Sequence, residues 1–348
     1  MHHPQPRRAQ RPLAALTLLV AAIAATACGG GDDDKKPAPL PTLDGAAPLV
    51  IGHRGLPGLH PEETLPAYQA AADAGADSLE EDLHLTKDCV LVARHNPWLS
   101  DNTNIAEVAA TNATVAARKR TVPGVMVDVT YSLATYGGPA KYLSDRTDPA
   151  DPKSVLKSLV VDGEDHTGDW SITDFTLAEL KQWIAGTTYD ARDQRPTAEN
   201  GKFPVLSMQE IIDLAKAKSA EKGRTIAVYP ETKNPTWHRD LGLPLEDKLI
   251  ALINAAGWNS KTAPIFVQSF EPGSLKEMRA KGLNTRMVQL IDADDYDLKA
   301  GTLTYAAPYD RPYDWTRSGQ TRLFSSMVTP AGLAEIKTYA DGIGPWKP

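Results

Sequence analysis

At 348 residues the chain is long enough for one barrel-sized domain or two ordinary ones. Its 44 acidic side chains against 37 Lys and Arg give a formal charge of −7, and since the first 27 residues hold three arginines and no carboxylate, the remainder carries −10. A balance that acidic excludes sequence-independent nucleic-acid binding, which needs a basic face, and two cysteines exclude a disulfide-built scaffold.

The chain opens on Arg7, Arg8 and Arg11, followed by an apolar stretch from Leu13 to Ala25 that meets Ala25-Thr26-Ala27-Cys28. The stretch is too short for a comfortable membrane span and has the layout of an export signal over residues 1–27. The small residues ahead of Cys28 resemble a bacterial lipobox. That resemblance implies lipidation of Cys28 and a cell-envelope protein held to a membrane only through an N-terminal lipid. The alternative is ordinary cleavage nearby and a periplasmic product. Residues 28–47 are rich in Gly, Asp, Lys and Pro, cannot bury a core, and read as a flexible tether.

The folded part, 48–348, alternates apolar strand-like runs with helix-like runs. Strands are expected over Leu49–His53, Ser78–Leu85, Val90–His95, Thr225–Glu231, Pro264–Phe270, Arg286–Ile291 and Asp341–Pro345. Helices are expected over Thr64–Ala74, Thr176–Ile184, Met208–Glu221, Leu245–Ala256, Pro272–Lys281 and Pro330–Ala340. Such alternation predicts a parallel sheet covered by helices. Chemistry gathered at strand C-terminal ends favours an α/β (β/α)8 TIM barrel over a doubly wound sheet. Seven strand candidates predict a barrel lacking its last helix and strand. Residues 105–170, rich in Thr, Asp, Gly and Pro, read as an inserted subdomain, and 292–320 as a second long loop.

The candidate chemistry lies in three clusters: Gly52-His53-Arg54-Gly55, Leu79-Glu80-Glu81-Asp82-Leu83 and Ala93-Arg94-His95-Asn96. On a strand Glu80 and Asp82 share a face and Glu81 takes the other. Two carboxylates on one face repel unless a cation lies between them, and all-oxygen ligation suits Ca²⁺ or Mg²⁺. Two histidines beside such a site can supply an acid and a base near neutral pH. The combination suits metal-assisted hydrolysis of a phosphate ester.

His53-Arg54-Gly55, Pro61-Glu62-Glu63-Thr64, Gly75-Ala76-Asp77, Glu80-x-Asp82, Thr86-Lys87-Asp88, His95, Glu231-Thr232-Lys233, Gln268-Ser269-Phe270 and Tyr339-Ala340-Asp341-Gly342-Ile343-Gly344 resemble, in order, the motifs of the glycerophosphodiester phosphodiesterase family. The resemblance spans about residues 49–348. It implies His53 and His95 as the acid–base pair. Glu80, Asp82 and Glu231 would be ligands of one divalent metal, with Arg54 and Lys233 on the phosphate and Glu62 beside the metal or the substrate hydroxyls. It also implies a small glycerophosphodiester as substrate, split into glycerol 3-phosphate and an alcohol. Relatives are thought to attack first with the substrate's own glycerol hydroxyl, giving a cyclic phosphate that water opens.

Three positions depart from the family pattern: Glu63 stands for the usual Asn, Asn96 for Asp and Cys89 for Gly. Cys89 must therefore make a turn without glycine's freedom. Two other readings are a phospholipase C- or D-like activity on intact lipids and a truncated, non-catalytic surface lipoprotein.

Overall fold

The computed structural model describes residues 42, 45–122, 158–188 and 194–347. The export segment with Cys28, most of the tether, and residues 123–157 of the expected insertion lie outside the described residues. In chain order the elements are β1 (Ile51–His53), α1 (Leu65–Asp73), β2 (Ser78–Leu85), β3 (Leu91–Ala93), α2 (Ile105–Thr111), α3 (Ala113–Ala116), β4 (Val160–Val161) and β5 (Glu164–Asp165). There follow α4 (Leu177–Trp183), α5 (Met208–Lys222), β6 (Ala227–Thr232), α6 (Pro235–Asp240), α7 (Leu245–Ala255), β7 (Phe266–Ser269), α8 (Pro272–Ala280) and β8 (Arg286–Ile291). The last are β9 (Asp295–Asp297), β10 (Thr302–Thr304), α9 (Tyr313–Arg317), α10 (Pro330–Ile336) and β11 (Gly342–Pro345).

Six parallel strands form a curled, half-barrel sheet in the order β1-β2-β6-β7-β8-β11, each joined to the next by helical or longer crossovers. The α/β class is as expected; one strand assignment needs correction. The run Val90–His95 forms only β3, and β3 pairs antiparallel with the end of β2, Leu83 opposite Ala93. Five residues join the two strands, too few for the crossover that a parallel pair needs. Cys89 makes the turn at φ +57, and the Thr86 hydroxyl accepts the Val90 N–H at 3.0 Å. The span 292–320 also differs from the expected loop, since it contains the β9–β10 hairpin and α9.

Local signals explain the helix ends. Ser207 and Glu210 form a reciprocal capping box at the start of α5, which stops at Gly223 in the left-handed conformation. Thr176 and Glu179 cap α4 in the same way. Pro272 opens α8, where its missing N–H costs nothing.

The sheet has two different faces. Leu79, Leu83 and Leu85 of β2 pack with Tyr68 and Ala71 of α1 and with Met208, Ile211 and Ile212 of α5 in the main core. A second core packs Val92 of β3 with Leu99, Ile105, Val115, Trp170, Ile172, Phe175 and Leu180. On β2 the opposite face carries Glu80, Asp82 and His84, all buried.

Glu81 breaks the apolar face. It is fully buried there, and neither carboxylate oxygen has a well-formed hydrogen bond; the Tyr229 backbone offers only a weak one. Burial, reinforced by Glu63, pushes its pKa well above the usual value. A carboxyl that is easier to protonate in the folded state stabilises the fold below its unfolded pKa of about 4.3, and that contribution is lost as pH rises toward the folded value. Glu81→Met is therefore expected to raise stability by about 1–3 kcal/mol, more at pH 8 than at pH 5. Urea unfolding at both pH values tests this; equal or lower stability of the variant at pH 8 would refute it.

Candidate active site

The C-terminal ends of β1, β2 and β6 converge. Register places His53 beside Glu80 and Asp82 beside Glu231. Carboxylate oxygens of Glu80, Asp82 and Glu231 all lie within 4.8 Å of one another, and all three residues are buried. The two-residue spacing on β2 and the lateral neighbour on β6 together make this group; neither strand could do so alone.

The surroundings are basic. Arg54 Nε lies 2.9 Å from Asp82 Oδ2 and Arg54 Nη1 lies 3.4 Å from Glu62 Oε1. Lys233 Nζ lies 3.3 Å from Glu231 Oε1 and 3.9 Å from Asp82 Oδ1. The Arg54–Asp82 approach is an ion pair with a misaligned N–H, so Asp82 Oδ2 is buried without a true hydrogen bond. Glu80 accepts the Arg54 backbone N–H at 2.9 Å and the Gln268 Nε2–H at 2.9 Å. Glu62 also accepts Asn102 Nδ2–H at 2.6 Å.

Burial pushes the Glu80 carboxyl well above its usual pKa, with Asp82, Glu63 and Glu231 adding repulsion, and pushes Glu231 up to about 7. Burial acts on Asp82 the same way, but Lys233, His95, Arg54 and His53 outweigh it and hold Asp82 well below the ordinary carboxylate range. Mutual repulsion, oxygen-only donors and an orphaned carboxylate oxygen are what a hard divalent cation would resolve. The residues fit such a cation.

His53 Nε2 is 3.9 Å from Glu80 Oε2, and its side chain is 67% exposed. Partial desolvation and Arg54 lower its pKa. His95 is more enclosed, and burial together with Lys233 pushes its imidazole well below the usual value.

The loop after β1 needs unusual backbone. Arg54 and Glu63 both adopt left-handed φ, +56 and +59, and the Glu63 N–H donates to the Arg54 carbonyl at 3.1 Å. Gly55 sits at φ +88, where an added Cβ would lie 2.6 Å from the Ala67 carbonyl carbon.

All eight site residues expected within the folded part gather here; Cys28 lies outside the described residues. Four neighbours were not anticipated. Glu63 is buried and accepts the Asp82 N–H at 3.0 Å and the Tyr68 hydroxyl. Gln268, placed opposite Glu231 by register, steadies Glu80. His84 Nε2 lies 3.2 Å from the His95 carbonyl and His84 Nδ1 lies 2.9 Å from His238 Nε2, with both rings fully buried. A carbonyl only accepts, so His84 Nε2 carries the proton and Nδ1 accepts from His238. The one sequence signal for His84 was its place on the Glu80–Asp82 face; for His238 there was none.

The sequence pattern of the Glycerophosphoryl diester phosphodiesterase family matches residues 53–341. A glycerophosphodiester phosphodiesterase of Arabidopsis thaliana is 30% identical, covering 97% of this chain and 75% of its own length. One from Haemophilus influenzae is 23% identical, covering 85% of this chain and 68% of its own. A crystal structure from Silicibacter pomeroyi aligns with TM-score 0.47 at 19% identity, covering 87% of this chain and 84% of that one. With the match running from His53 to Asp341 and so containing every residue of the clustered site, the chain belongs to the glycerophosphoryl diester phosphodiesterase family of enzymes.

Proposed function

We propose that this protein hydrolyses small glycerophosphodiesters to glycerol 3-phosphate and an alcohol, using one divalent cation, Ca²⁺ or Mg²⁺, held by Glu80, Asp82 and Glu231. The observation that carries the reading is the buried three-carboxylate group flanked by two cationic side chains and two histidines. A bound cation would supply positive charge to the phosphate oxygens as negative charge develops there.

The side chains divide the remaining work. Arg54 and Lys233 neutralise carboxylates in the present arrangement, and once those carboxylates share a cation both are free to hold phosphate oxygens, Arg54 as a fork and Lys233 as a point charge. Asn102 and Arg54 orient Glu62 toward the same space. Of His53 and His95, one removes the proton from the attacking hydroxyl and the other gives a proton to the departing alkoxide as the P–O bond breaks. The His238–His84 pair holds the backbone carbonyl of His95, which limits where that residue can sit.

The test is release of glycerol 3-phosphate from glycerophosphocholine with Ca²⁺, with Mg²⁺ and with chelator. Release that chelator abolishes and one of the two ions restores is the expected result. Cleavage of intact phospholipid with none of the soluble diester would instead favour the lipase-like reading, and binding without turnover the non-catalytic one. For Cys28 the proposal remains a lipidated residue of an exported protein; its support is the sequence pattern, and mass spectrometry of the membrane fraction would check it.

A further inference from the structure

Beside Lys233, on the side where β4 and β5 and the loop after β8 meet, is a group of side chains that phosphate chemistry does not use. Asp162, at φ +50 in the β4–β5 turn, accepts the Asn234 Nδ2–H at 2.6 Å through Oδ2, while its Oδ1 is buried without a partner. Asn234 directly follows Lys233. Glu164 accepts the hydroxyl of Tyr309 at 2.6 Å, and Tyr309 is 55% exposed. Asp292 directly follows β8; burial raises the pKa of the Asp292 carboxyl and raises that of Asp162 to about 7, while the charge of Lys233 draws both down, and both carboxylates act on Tyr309. The wall also reaches the other catalytic edge: His166 lies 3.7 Å from Glu164 and stacks at 3.5 Å on Trp98, three residues beyond His95.

An acidic wall next to a phosphate lysine is a liability for an enzyme of anionic diesters. It repels a substrate whose only charge is the phosphate, and more strongly one with an anionic head group. The conflict disappears if the substrate brings its own cation, with phosphate on Arg54 and Lys233 and ammonium on the acidic side. An exposed tyrosine ring beside carboxylates, one with an unsatisfied buried oxygen, matches the recognition chemistry of an ammonium. Resting on the diesterase reading above, we propose that Asp162, Glu164, Asp292 and Tyr309 form a head-group subsite that selects zwitterionic diesters, those whose alcohol carries an ammonium group. The selectivity is a difference of affinities, built as much from repulsion of anionic and neutral head groups as from attraction of the cationic one.

The test compares kcat/KM for glycerophosphocholine and glycerophosphoglycerol in the full chain, in Glu164→Gln and in Asp292→Asn, with circular dichroism of each protein as a folding control. The wild type should prefer the choline diester by about 10-fold or more. Each variant should shrink that ratio several-fold, lowering the constant for the choline diester and raising that for the glycerol diester. A wild-type ratio near one, or variants that keep the wild-type ratio, overturns the subsite while leaving the diesterase reading standing. Turnover of neither diester by folded wild-type protein overturns the diesterase reading, and the subsite with it. Tyr309→Phe, which keeps the ring and releases Glu164, separates ring from charge: loss of the ratio in this variant alone overturns the carboxylate account.

Discussion

Replacing His95 with alanine is expected to lower kcat on glycerophosphocholine by about 10²–10⁴-fold, the range for loss of a positioned acid or base, and His53→Ala should do the same. His53 is exposed and touches the carboxylate group only at 3.9 Å, so its removal leaves the fold alone. His95 is more enclosed but lends its main-chain carbonyl, not its ring, to the buried His84 contact, and alanine keeps that carbonyl. Neither variant should weaken cation binding much, because neither histidine belongs to the three-carboxylate group. The double variant should be little worse than either single one, since the two rings act on one transfer. Turnover within a few-fold of wild type in either single variant would remove that residue from the chemistry.

Asp82→Asn is expected to weaken Ca²⁺ or Mg²⁺ binding by about 10²-fold or more, beyond the effect of losing an outer-sphere partner, with turnover falling in step. The substitution keeps shape and removes one charge. Asp82 is the member of the group that its surroundings keep ionised, through Lys233, His95, Arg54 and His53. Glu80 and Glu231 hold their protons more tightly, so Asp82 contributes the most reliable negative charge. Loss of that charge also leaves Arg54 and Lys233 each one carboxylate short, at Glu62 and Glu231. Isothermal titration of the variant against the wild type measures the change. Affinity within a few-fold of wild type would move the cation away from these residues.

Much of the site was legible because strand geometry is local. The period of two put Glu80 and Asp82 on one face and Glu81 on the other. That expectation holds: Glu80 and Asp82 lie together with Glu231, and Glu81 is not among them. The direction of Val90–His95 was also in principle legible, since the five-residue link from β2 is a hairpin length.

The sequence by itself determined which faces the β2 carboxylates occupy, the extents of α1, α4, α5, α7 and α8 to within a residue or two, and the order of motifs that marks the family; it did not show α2, α3, α6 or α9, and it ran α10 past its end at Ile336. The faces and the helix ends depend on residues a few positions apart. The tertiary structure alone decided that β6 lies directly against β2, so that Glu231 meets Asp82, and that Gln268, His84 and His238 support the group from behind. It decided, too, that the β4–β5 turn and Tyr309 meet beside Lys233. Strand order and long-range packing follow from burying the whole apolar surface at once, and no local spacing encodes them.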